Sequence, residues 1–268
     1  MAPYDFQGPD AGAILRSSDG TELYVHILIL GLASPVFRGM FSLPQPIEPA
    51  PYPIPVVDVS EPSDILKPFI QYFYPSSPPT VSDVAMWADL YTIADKYNAE
   101  AVMEFLRDML IPRFLETSPF RVYALASRWG LEEEAKIASE RTLAFDIIEA
   151  FPQGDAELMG ATACQKLYHL HIQSRDEARA LVSARDYRFK EIRNCGCPPS
   201  DPRSIAQALS ERVFTKPRLP AEQLYEEVAR LEGRRKCAGG CRNSLSFKNA
   251  HAWISLILQD LQEVPQTT

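Results

Sequence analysis

Long apolar runs are missing from this chain. No stretch of its 268 residues reaches the roughly 18 consecutive apolar side chains of a membrane span, so no association with a membrane is expected. Residues 1–10 carry neither a basic region nor an apolar core, and no secretory leader is expected. Cysteine is scarce and odd in number, five in all. That excludes a disulfide framework and fits a reducing compartment, cytoplasm or nucleus. Catalytic signatures are absent too: there is no G-x-S-x-G, no phosphate-binding loop, no G-x-G-x-x-G after a strand and no H-E-x-x-H.

The four histidines supply no constellation either. His26 lies between apolar stretches and reads as a satisfied core or interface residue. His169 and His171 sit two apart on a helical pattern and point to different faces. His251 opens the last apolar segment as a surface residue. Glu132, Glu133 and Glu134 stand at a helix start, where acids favour the helix dipole. The chain is therefore read as no enzyme.

Positive charge is thin in the first half. Residues 1–134 hold 8 Lys/Arg against 18 Asp/Glu, a balance of −10, and residues 135–268 hold 19 against 17, or +2. Nucleic-acid binding needs clustered cations, and the only basic cluster is Arg234-Arg235-Lys236. No nucleic-acid partner is expected.

What is present is patterned apolar content, 46% of the chain. Asp19-Gly20 between β-prone runs at 13–18 and 21–25 predicts a hairpin, because Gly accepts the positive φ of such turns. His26 to Leu32 is almost wholly apolar. Ser34-Pro35 then opens a helix over Val36 to Phe41, with Ser as cap and Pro in the first turn. The proline-studded stretch Pro44 to Pro55 predicts an extended loop, and Val56 to Val59 a short strand. Helical spacing follows over 63–74, 84–97 and 99–110, with Ile111-Pro112 as a boundary. Further helices are expected near 119–129, 131–148, 161–186, 203–213, 220–232 and 249–263.

In order and detail, the first part resembles a BTB/POZ domain. The resemblance rests on Ile14-Leu15, the Gly20 turn, Leu23 and Val25 before His26, then Leu30, Ser34, Phe37 and Met40-Phe41, and later on Phe69 to Tyr74. Leu15-Arg16-Ser17-Ser18-Asp19-Gly20 together with residues 33–45 is most similar to the expanded fungal set of such proteins. The expectation is an α+β domain over 1–112, a short mixed sheet flanked by helices, with residues 1–10 flexible. An all-α region follows: a segment over 113–192 similar to the helical (BACK-like) segment that often succeeds BTB domains, then a helical lobe over 193–268. Two positions depart from the family pattern. Gly12 stands where an acid is common and Ile27 where a Lys or Arg is common, so the usual charged pocket at the dimer interface is absent as a pair.

Ile27, Leu28, Ile29, Leu30 and Leu32 cover every face of a short helix, and a helix apolar all round must be buried all round. One face is covered from within the domain, and a second copy supplies the other. Burying each such side chain contributes about 1.5–3 kcal/mol. The resemblance implies the same, since BTB domains commonly form two-fold dimers through this helix. The expected dimer residues are Ile14, Ile27, Leu28, Leu30 and Leu32; cover by the second half of the chain is the alternative.

The paired cysteines Cys195, Cys197, Cys237 and Cys241 are the remaining chemical feature. Two expected helices of matched length, about 17–20 Å each at ~1.5 Å per residue, lie between the pairs and return the chain to its starting end. Four thiolates there suit a structural, tetrahedral zinc, and no other cofactor is expected. A reversible disulfide and plain reduced thiols are the alternatives, and nearby Arg193, Arg235, Lys236 and Arg242 favour thiolate in any case.

Three functions compete. The first is a non-catalytic interaction module that homodimerises and scaffolds or recruits proteins. The second is a substrate adaptor of a cullin-type ubiquitin ligase, contacting its scaffold through Phe41, Leu43 and Gln45. There the resemblance implies a hydrophobic-x-acidic motif, and Gln45 holds the acid's place. The third is a zinc- or redox-dependent regulator acting through the cysteines.

Overall fold

The computed structural model describes residues 5, 6, 8, 10–43, 54–184, 211, 215–217, 222–223 and 226. The chain divides into two units, Met1–Ser118 and Pro119–Thr268.

In the first unit, β1 (Ala13–Arg16) pairs antiparallel with β2 (Glu22–Val25) and parallel with β3 (Val56–Asp58), giving a three-stranded mixed sheet of order β2-β1-β3. The hairpin forms at Gly20, whose φ of 84° only glycine adopts readily. Asp19 makes the turn more than local. Its carboxylate accepts from the Ser63 amide at 2.7 Å, the Thr21 amide at 3.1 Å and the Ser17 hydroxyl at 2.8 Å. These bonds, the Ser63 amide foremost, hold its carboxyl well below the usual range and tie the hairpin to the next helix.

Among the described residues, five helices accompany the sheet: α1 (Ile27–Ala33), α2 (Pro35–Ser42), α3 (Ser63–Gln71), α4 (Val84–Lys96) and α5 (Glu100–Phe114). The core gathers Ile14 and Leu15 from the central strand with Leu30, Phe37, Phe69 and Trp87 from the helices, all at 0% exposure. The Trp87 indole N–H donates to the Leu106 carbonyl at 2.7 Å, and the Tyr97 ring stacks on Phe37 at 4.4 Å. At the end of α4, Asn98 takes a φ of 49°, a left-handed stop that Asn tolerates, and the chain turns into α5.

One expectation for this unit changes. Helix α5 does not stop at Ile111-Pro112 but runs to Phe114, because Leu110 and Phe114 bury their side chains and hold the last turn despite the missing Pro112 N–H. Near the start of the chain, Phe6 is 2% exposed: its ring meets Tyr74 at 5.6 Å and its carbonyl accepts the Tyr24 amide at 3.0 Å.

Every element described in the second unit is helical: α6 (Pro119–Arg128), α7 (Glu132–Thr142), α8 (Ile147–Ala150) and α9 (Gln153–Ala184). The single helix expected over 131–148 is broken, because Leu143 turns into the core and the Asp146 carboxylate caps a new start by accepting the Ile148 amide at 2.9 Å. Within α9 the long helix starts after Gly160, where a helix from 161 is expected, and a short helical piece over 153–159 precedes it, joined through the non-helical angles of Gly160. The loop over 44–53 and the helices expected near 203–213, 220–232 and 249–263 lie outside the described residues, apart from a few isolated positions.

Candidate interaction surface

Helix α1 carries no charged residue from Ile27 to Ala33. It begins at His26, which is extended and offers no side-chain cap; instead the His26 amide donates to the Tyr74 hydroxyl at 2.9 Å. That hydroxyl also lies 3.2 Å from His26 Nδ1, and His26 Nε2 lies 3.6 Å from Asp10 Oδ2. At its far end α1 passes into α2 through Ser34. The buried Ser34 hydroxyl accepts the Phe37 amide at 3.1 Å and donates to the Tyr97 carbonyl. Arg38 reaches back from α2 to donate to the Gly31 carbonyl at 2.8 Å. Both ends of α1 are thus fastened to buried groups.

Fastening fixes which side chains face outward. Leu28 is 74% exposed, Leu32 71% and Ile27 37%. Leu28 and Leu32 are four residues apart and so share one side of the helix. The other two residues expected at a dimer interface are placed elsewhere. Ile14 sits in the central strand opposite Tyr24 and Val56, and Leu30 faces the core; both have no surface left to offer a partner. The exposed charge-free surface of α1 therefore centres on Ile27, Leu28 and Leu32, with Ile29 and Ala33 half-buried beside them.

The two positions that depart from the BTB pattern are neighbours. A Cβ added to Gly12 would lie 3.4 Å from Ile27 Cγ1, ordinary contact distance. A glycine and an aliphatic side chain thus adjoin where an acid and a base are usual. Asp10 supplies a carboxylate two residues earlier, beside His26; as one acid in an irregular segment it gave no sequence signal.

The segment after α2 is less complete. Phe41 is half-buried with its ring stacked on Phe37 at 6.2 Å, while Leu43 is 64% exposed. Gln45 and the cysteines Cys195, Cys197, Cys237 and Cys241 lie outside the described residues. Among the described residues no group of three or more His, Cys, Asp or Glu is gathered as for a metal ion, and no helix is long and apolar enough to cross a membrane.

Residues 11–113, which span this sheet and helices α1 to α5, match the family model of the BTB/POZ domain. BTB domains are protein–protein interaction modules, commonly used for dimerisation and as cullin adaptors. No curated protein matches the chain.

Proposed function

We propose that this chain is a non-catalytic interaction protein of cytoplasm or nucleus that homodimerises through α1 and scaffolds or recruits other proteins. The observation that carries this reading is the exposure of Leu28 and Leu32, 74% and 71%, on a helix without charge whose two ends are fixed. Isolated exposed leucines are ordinary, but two on one uncharged face mark a contact surface. A second copy is the simplest partner, since a two-fold axis sets each patch against its own twin. Light scattering on the full chain is expected to give twice its 30.1 kDa mass. Leu28→Asp with Leu32→Asp is expected to give the single-chain mass with unchanged circular dichroism. A monomeric wild-type chain would overturn the proposal.

The adaptor reading is favoured by one further observation, the 64% exposure of Leu43 directly after α2. Calorimetry against the N-terminal helical region of a cullin scaffold tests it. Micromolar binding lost in Leu43→Asp supports the adaptor, and absence of heat from a folded dimer removes it.

A further inference from the structure

The first turns of α9, residues 153–159, connect to the rest of the helix through Gly160, with φ 75° and ψ 164°. A Cβ there would meet no heavy atom within 4 Å, so no packed neighbour imposes the break. The conformation nevertheless belongs to glycine, since an L side chain is strained at that φ. One residue thus uncouples a short helical piece from a long one.

The inward face of that short piece is thin. Over 154–159 only Asp155, 1% exposed, and Met159, 6% exposed, are buried, four residues apart on one side. One of these two anchors is a carboxylate. Asp155 Oδ1 lies 2.9 Å from Arg121 Nε, but neither carboxylate oxygen has a partner in hydrogen-bonding geometry. The pair is also lopsided: the Arg121 side chain keeps 39% of its exposure, whereas Asp155 keeps 1%. Arg121 remains hydrated; the carboxylate has lost its water and gained one imperfect contact. Opening the segment rehydrates Asp155 at little cost to Arg121. Burial also pushes the Asp155 carboxyl up, the direction expected of a poorly compensated charge.

We infer that residues 153–159 form a flap hinged at Gly160, held shut by Met159 and biased open by the buried Asp155 carboxylate. The flap opens while the remainder of α9 stays folded. Hydrogen exchange on the full chain, read by mass spectrometry and corrected for intrinsic rates, compares peptides from 153–160 with peptides from 161–180. Asp155→Asn keeps the shape and removes the charge, and is expected to slow flap exchange about tenfold with 161–180 unchanged. Arg121→Gln, which leaves the carboxylate without a counter-charge, is expected to speed the flap by a similar factor. Met159→Ala removes the other anchor and is expected to speed the flap alone. Unchanged or faster flap exchange in Asp155→Asn overturns the inference. So does a shift of equal size in 161–180 in any of these variants, since the effect then belongs to the whole unit.

Discussion

Ser34 shows how one buried hydroxyl joins three elements. It caps α2 through the Phe37 amide and binds the Tyr97 carbonyl at the end of α4, with no exposure of its own. Ser34→Ala leaves both backbone groups buried and unpaired, and is expected to cost about 1–3 kcal/mol in denaturant unfolding. His171 poses the opposite case, a histidine kept neutral. Burial lowers its pKa to about 4, against a weaker upward pull from Asp146. Thr142 already donates its hydroxyl proton to the Ser139 carbonyl, so its contact with His171 Nε2 at 2.9 Å makes that nitrogen the donor. Because the folded pKa lies below the unfolded one, near 6.5, the unfolded state takes up the proton first. The contribution is present above about pH 6.5 and is lost progressively as pH falls toward 4, by roughly 2–3 kcal/mol if the site stays buried. Unfolding of the full chain by urea between pH 7 and 4.5 checks this, with His171→Gln expected to remove that part of the pH dependence.

Much of the element scale could be read from sequence. The turn at Gly20 and the Ser34-Pro35 start of α2 are local signals, and local hydrogen bonds are what they encode; the Asp83 side chain that caps α4 is a finding of the structure. What escaped was decided by packing at a distance. Leu30 and Leu28 look alike in sequence, and only the core beneath α1 separates a buried side chain from an exposed one. Pro112 reads as a stop, but burial of Phe114 outweighs it. The short helical piece before Gly160 gives no helical spacing signal of its own, and the helix expected from 161 leaves it out. The contact between Gly12 and Ile27 was legible only as two departures from a family pattern; their adjacency is a finding of the structure. That adjacency predicts coupling. Gly12→Asp and Ile27→Lys are each expected to destabilise the domain, and together to cost less than their sum by about 0.5–3 kcal/mol in a double-mutant cycle on thermal unfolding. Strict additivity would show that the two positions do not sense each other.

For the whole molecule, the division after Ser118 bears on where the chain can be cut. A fragment ending at residue 112 loses Phe114, which is 5% exposed, whereas one ending at 118 keeps it with the closing turn in which the Ser118 amide donates to the Phe114 carbonyl at 2.9 Å. The longer fragment is expected to be more stable by about 2–4 kcal/mol in guanidinium unfolding, a difference set by one aromatic side chain. Strand β2 lies at an edge of the sheet, and Phe6 covers part of that edge from the same chain, its carbonyl taking the Tyr24 amide. An uncovered edge is a template on which other chains can add strands, the route to fibrils. Phe6 thus occupies part of that template, and a chain lacking residues 1–8 is expected to bind thioflavin T and scatter light at concentrations where the full chain stays clear.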